Sequence, residues 1–319
     1  MIGSKIVATG SYLPQKILSN NDLSKMVDTT DEWIVTRTGI KNRHIAAENE
    51  MTSDLAYKAA LSCIESINFD PQQIDIIILA TTTPDLTFPS TAVIMQEKLG
   101  NKSAFAFDVQ AVCSGFVYAL DLADSYIKCG KAKNILVIGA ETLSRIVDWQ
   151  DRNSCVLFGD GAGAIILSAT TEGESDILAS NLHSDGGLVD ILKTSGGTSS
   201  TKNAGFIEMQ GKEVFKNAVE KMSSSLLKTI IDANLQIEQI DWLIPHQANL
   251  RILNSVATKV GIPQERVIIT LQNQGNTSAA SIPLAIDHAN KEGKIIRGQN
   301  IAIEALGGGL TWGSVVLSW

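Results

Sequence analysis

Three polar residues and one glycine run in this chain have the types and settings that acyl chemistry uses. Cys113 lies in Asp108-Val109-Gln110-Ala111-Val112-Cys113-Ser114-Gly115, after the apolar run Ala104 to Phe107. That run is short, aromatic-rich and free of breakers, which predicts a buried strand. Beyond Gly115, apolar residues recur at Phe116, Val117, Leu120, Leu122 and Ala123, which is helical spacing. Cys113 therefore falls where a strand hands over to a helix, beside the helix's free N–H groups and positive dipole end. Such a position favours thiolate over thiol, although an inert buried cysteine fits it too. His246, in Pro245-His246-Gln247-Ala248-Asn249, directly follows the apolar run Trp242 to Ile244 and so stands at a strand's carboxyl end. Asn276 lies in an asparagine-rich stretch, Asn273 to Ser278, ahead of another helix. Taken singly, the histidine also reads as a turn cap and the asparagine as an N-cap. The run Gly307-Gly308-Gly309 can bring a backbone N–H close to a ligand, because glycine permits close approach.

The bulk properties exclude several other chemistries. A chain of 319 residues with 44% hydrophobic and 19% charged residues has the composition of a globular protein with ample core. A net charge of −8 gives no domain-wide basic excess for nucleic acid. No signal-peptide pattern opens the sequence, and no apolar run reaches the ~18 residues of a membrane span. The cysteines at 63, 113, 129 and 155 show neither CxxC pairing nor zinc spacing, so no metal is expected, and a cytoplasmic protein with reduced thiols is. Gly159-Asp160-Gly161-Ala162-Gly163 imitates a phosphate loop, but it precedes a strand and lacks the Lys-Ser/Thr that would follow. Cys, His and Asn also serve papain-like proteases, whose local sequences around the cysteine differ from this one.

The elements that must position these residues come in two copies. Ile74-Asp75 recurs as Ile240-Asp241, Asn134-Ile135 as Asn300-Ile301, and Ala119-Leu120-Asp121 as Ala285-Ile286-Asp287, each 166 positions later. Gly163 to Ser168 also resembles Gly313 to Ser318, at an offset of 150. A shared offset over separated segments predicts an α/β chain of two pseudo-symmetric βαβαβ-type halves, with mixed sheets covered by helices. The boundaries expected are 1–170 for the half carrying the cysteine and 171–319 for the half carrying the histidine and asparagine. Ligand sites in such folds lie at strand carboxyl ends, so the loops after Phe107, after Ile244 and before Ala279 should converge.

The segments around Cys113, Pro245 to Arg251, Gly275 to Ser281 and Gly307 to Gly313, with Thr30 to Ile34 and Arg37 to Ile40, resemble the β-ketoacyl-acyl-carrier-protein synthase III family over essentially the whole chain. The resemblance implies the thiolase fold, a five-layered αβαβα arrangement, and a homodimer that condenses a short acyl-CoA, typically acetyl-CoA, with malonyl-acyl-carrier protein. It assigns Cys113 as acyl acceptor, the amides of Cys113 and Gly308 as oxyanion hole, and His246 and Asn276 as donors to the malonyl thioester oxygen. Trp33 and Arg152, with Arg37 and Thr38 nearby, match the CoA adenine site; Phe215 and Asn249 match the pantetheine channel. Gln247, Ala248, Asn249, Leu250 and Arg251 match the carrier-protein segment, and Arg251, Lys216 and Lys259 could form a small basic face there. Phe88 matches the side chain that floors the partner's acyl pocket. CoA and carrier-protein phosphopantetheine are substrates, and no cofactor is implied. Departures occur at Leu306, where phenylalanine is common, and Asn153, where glycine is common; both bear on primer size.

Two other readings remain at this point. One is a relative that joins other acyl groups; if it formed hydroxymethylglutaryl-CoA, it would need a general-base Glu in the N-terminal half. The other is a thiolase-fold subunit without chemistry, against which the retained Cys113, His246 and Asn276 argue.

Overall fold

Period-two alternation along the strands decides which side chain meets which layer. In a computed structural model of the chain, which describes residues 2–171 and 175–319, Ile76, Ile78 and Ala80 face one core while Ile77 and Leu79 face another. The first sheet runs, in spatial order, Gly3–Tyr12, Asp160–Thr170, Asn134–Thr142, Ile76–Ala80 and Phe105–Val109. The second runs Ile177–Ser184, Thr311–Ser318, Asn300–Gly307 and Trp242–Pro245. Helices Gly115–Lys128 and Ser281–Lys291 fill the layer between the sheets. Thr52–Ser66 and Thr91–Leu99 cover the first sheet outside, and Gly211–Asp232 and Leu250–Val260 the second. These are the five layers of the thiolase fold.

The two halves match in detail. Both sheets read antiparallel, antiparallel, parallel from the edge inward. Asn134 Nδ2 donates to the Gln73 carbonyl at 3.0 Å, and Asn300 Nδ2 to the Gln239 carbonyl at 3.0 Å. The 166-residue offset thus repeats individual hydrogen bonds. Strands Asp160–Thr170 and Thr311–Ser318, related at offset 150, hold the same place in their sheets. Among the described residues the second sheet has no full fifth strand, only a parallel bridge from Leu243 to Val267.

The expected buried strand from Ala104 is corrected. It spans Phe105–Val109 and forms the outer edge of its sheet, where Phe105 is 51% exposed. Being apolar and aromatic did not bury it within one chain. The glycines that imitate a phosphate loop serve packing. Gly163 stands opposite Gly139 in the sheet, and a Cβ on Gly163 would lie 2.6 Å from the Leu284 amide nitrogen. A Cβ on Gly139 would overlap the Ala279 carbonyl oxygen. This glycine pair leaves the gap in which residues 279–284 sit, and so sets the second half against the first.

Candidate active site

The strand from Phe105 ends at Val109, a tight turn spans Val112–Ser114, and the helix begins at Gly115. Val112 has φ +48, a left-handed conformation that a β-branched residue resists. The turn before Cys113 is therefore strained, as expected where a nucleophile is held on a sharp strand-to-helix elbow. The strand end Asn300–Gly307 closes over it. A Cβ on Gly307 would lie 2.7 Å from both the Ala111 carbonyl oxygen and the Cys113 nitrogen. Thr311 Oγ1 donates to the Ala111 carbonyl at 2.9 Å and lies 2.8 Å from Ser114 Oγ, which ties the glycine turn to the elbow. Gly308, the other assigned oxyanion donor, is the next residue along that turn.

His246 and Asn276 are carried to the same place by one short stretch. His246 Nδ1 lies 2.7 Å from Ser281 Oγ, and its amide donates to the Glu304 carbonyl at 2.8 Å. Asn276 Oδ1 accepts from the Ser278 amide at 2.9 Å. That bond orients the carboxamide, leaving Nδ2 as a donor. The Ser278 hydroxyl lies beside both the Cys113 thiol and the Glu141 carboxylate, without a well-formed hydrogen bond to either. Residues 276–281 thus touch, or belong to, every member of the Cys113, His246 and Asn276 group.

Burial governs the electrostatics. Helix-end stabilisation alone predicts a lowered thiol pKa; instead burial pushes the Cys113 thiol up to about 12, with the Glu141 charge adding to the rise. Desolvation of the thiolate outweighs the helix end. Alkylation of Cys113 by iodoacetamide is accordingly expected to accelerate about tenfold per pH unit from pH 6 to 9. A plateau at or below pH 7 would contradict it. Burial also holds His246 neutral, its pKa lowered to about 3.

Several contributing residues gave no signal in the sequence. Glu141 is fully buried in the N-terminal half, but it accepts from the Thr81 and Thr83 hydroxyls at 3.2 and 2.7 Å and the Thr82 amide at 3.1 Å. Those bonds commit it to structure. Arg43, also fully buried, donates to the Val156 carbonyl at 2.7 Å and Asn20 Oδ1 at 2.8 Å. The adjoining Leu157 carbonyl accepts from the Asn276 amide at 2.9 Å, so Arg43 braces the segment on which Asn276 hangs. Glu304 is fully buried, with no hydrogen-bond partner for either carboxyl oxygen among the described residues. Burial raises its pKa from 4.5 to about 8. A raised acid contributes fully below its unfolded pKa and loses that contribution as pH rises to the folded one. Between pH 4.5 and 8 it should cost stability at roughly 1.4 kcal/mol per pH unit. Glu304→Gln should flatten that slope in denaturant titrations at pH 5 and 8; equal slopes in both proteins would refute it.

The remaining assigned positions divide into an outer mouth and two corrections. The Arg37 and Arg152 guanidinium carbons lie 4.3 and 5.4 Å from the Trp33 ring centroid, and Asn249 Nδ2 donates to the Arg37 carbonyl at 3.1 Å. Arg251 lies over Phe215 at 5.7 Å. Thr38 sits beneath this mouth, 4% exposed, with its hydroxyl donated to the Ile34 carbonyl, so it supports the helix without presenting a ligand contact. Gln247 is 1% exposed, its Nε2 donating to the Pro245 carbonyl and its Oε1 accepting from the Thr270 amide, so it leaves the expected carrier-protein surface. Ala248, Asn249 and Leu250 are half-buried, whereas Arg251, Lys216 and Lys259 are exposed, with Lys259 paired to Glu220 at 2.6 Å. Leu306 is buried near the site in one cluster with Leu192, Phe215 and Leu310, and Asn153 donates its backbone N–H and Nδ2 to Asp151 Oδ1, which caps that turn. Phe88 projects outward, 82% exposed.

Comparison with known proteins agrees with this architecture. Residues 107–186 match the 3-oxoacyl-[acyl-carrier-protein (ACP)] synthase III family, and residues 230–319 match its C-terminal unit. The chain is 55% identical over 314 residues to the beta-ketoacyl-[acyl-carrier-protein] synthase III of Ehrlichia canis (strain Jake), covering 98% of each chain. It is 57% identical over 317 residues to that of Wolbachia pipientis wMel, covering 99% of each. The crystal structure of 3-oxoacyl-[acyl-carrier-protein] synthase III from Aquifex aeolicus VF5 superposes with a TM-score of 0.95 at 51% identity, covering 99% of this chain and 100% of that one. The fold is that of a condensing enzyme of the thiolase type. The chain belongs to the β-ketoacyl-[acyl-carrier-protein] synthase III family.

Proposed function

We propose that this protein catalyses the initiating condensation of fatty-acid synthesis, joining a short acyl-CoA, with acetyl-CoA the preferred candidate, to malonyl-acyl-carrier protein. The observation that carries the reading is the stretch 276–281, which holds His246 and Asn276 as neutral donors against the elbow of Cys113. In the first half-reaction the Cys113 sulfur bonds to the acyl carbon, CoA leaves as its thiol with the cysteine's proton, and the oxyanion rests on the amides of Cys113 and Gly308. In the second, malonyl thioester loses carbon dioxide and its enolate oxygen is held by His246 Nε2 and Asn276 Nδ2. The enolate carbon then attacks the acyl group, the C–S bond to Cys113 breaks, and the sulfur regains a proton. No base removes a proton in forming the enolate, which suits a histidine that burial keeps neutral.

Trp33, Arg37, Arg152, Phe215 and Asn249 would take the CoA and pantetheine arms, which are substrates; no further cofactor is invoked. The carrier protein would meet Arg251, Lys216 and Lys259, although Glu220 offsets part of that charge. A second copy would cover the open sheet edge at Phe105–Val109 and the exposed Leu86 and Phe88, placing Phe88 at the partner's acyl pocket. The cytoplasm suits four unpaired cysteines, and no described helix is long and apolar enough to cross a membrane. The test is incubation with acetyl-CoA, mass analysis of the peptide containing Cys113, and assay of transfer to malonyl-acyl-carrier protein. Absence of an adduct with any short acyl-CoA would sink the mechanism; an adduct without condensation would point to a relative acting on other acyl acceptors.

A further inference from the structure

The donor role of His246 requires its single ring proton to sit on Nε2, and something must fix that tautomer. Ser281 is fully buried, and among the described residues its hydroxyl has two hydrogen-bond partners. One is the Gln247 backbone N–H at 3.3 Å, which can only donate. The other is His246 Nδ1 at 2.7 Å. With the N–H donating into Ser281 Oγ, the acceptor for the hydroxyl proton is Nδ1. A neutral imidazole that accepts at Nδ1 carries its proton on Nε2. The arrangement reverses that of a hydrolytic triad, where a carboxylate takes the Nδ1 proton and makes Nε2 a base.

The internal repeat supplies an independent observation. At the 166-residue offset His246 corresponds to Ala80 and Ser281 to Gly115. Those two positions also adjoin in the first half, since a Cβ on Gly115 would lie 3.1 Å from the Ala80 Cβ. Where the strand end carries no imidazole, the helix start carries no hydroxyl. Where it carries the imidazole, the partner position is serine.

We infer that Ser281 is a positioning residue that donates its hydroxyl proton to His246 Nδ1 and so locks the histidine as an Nε2–H donor to the thioester enolate. This rests on the condensing role assigned to His246. Gln247 joins the device through its backbone, which is consistent with its complete burial.

The chain has four histidines, so nitrogen-15 NMR of histidine-labelled protein, with a His246 variant for assignment, can read the tautomer directly. The native protein should show His246 with an unprotonated Nδ1. Ser281→Ala should move it towards a mixed or Nδ1–H tautomer and slow malonyl decarboxylation roughly tenfold, the worth of one hydrogen bond. Acylation of Cys113 should persist, and Ser281→Thr, which keeps the hydroxyl, should restore both signals. Ser281→Gly, copying the first half, should behave like the alanine variant and provides a second protein if that one folds poorly. A protonated Nδ1 in the native protein, or an unchanged tautomer and decarboxylation rate in the alanine and glycine variants, would overturn the inference. Because the tautomer is read without turnover, failure of the condensing reading would show separately, as no acylation or decarboxylation by the native enzyme.

Discussion

Cys113→Ala is expected to eliminate the acyl-enzyme, lowering transfer from acyl-CoA by on the order of 10⁴-fold or more, as loss of a covalent nucleophile does. Malonyl decarboxylation should survive, because the bonds that orient His246 and Asn276 run to Ser281 and Ser278 and do not involve the sulfur. The fold itself indicates that alanine is tolerated there. Ala279 occupies the matching place in the second half, after Ser278, whose φ of +48 equals that of Val112. Carbon dioxide release from malonyl thioester, with and without acetyl-CoA, separates the two effects. Parallel collapse of decarboxylation would mean that the thiol also orders the donors.

Asn276→Ala should give the converse pattern. Removing one donor from an oxyanion site costs about 10²–10³ in rate, and here the loss should fall on the decarboxylating half-reaction. Acylation should continue, since the oxyanion site proposed for that step is made of backbone amides. Alanine also leaves the Ser278 amide without its Oδ1 partner, so Asn276→Asp is the companion: it keeps an acceptor there and replaces the Nδ2 donor with a carboxylate oxygen. A loss in the aspartate variant at least as large as in the alanine one, with acylation kept in both, would assign the effect to the donor. Equal loss of both half-reactions would contradict the role given to Asn276.

Residues whose work depends on local sequence were legible in advance. The elbow of Cys113, the strand ends at His246 and the glycine turn follow from apolar periodicity and breakers, and the constant offset exposed the paired halves. What escaped was set by contacts between distant segments. The thiol pKa depends on how completely both halves enclose Cys113, which no local pattern reports. Arg43 is a cation in an unremarkable stretch until its guanidinium meets Val156. Glu304 lies in an apolar strand without any turn or motif to single it out. Ser281 was within reach, because aligning the copies sets it against Gly115. The edge strand misled for a related reason: its aromatic residues are apolar enough for a core, yet helix Gly115–Lys128 covers them only in part, with Phe105 and Phe107 set against Tyr126 and Phe105 left half open.

That edge strand links assembly to chemistry. Phe105–Val109 runs directly into the turn that bears Cys113, so whatever seats on its open side also braces the nucleophile. If the cover is a second copy, specific activity becomes a matter of mass action: dilution through the dissociation constant loosens the elbow in a growing share of the molecules. The strained turn at Val112 would then be held by concentration as much as by its own chain.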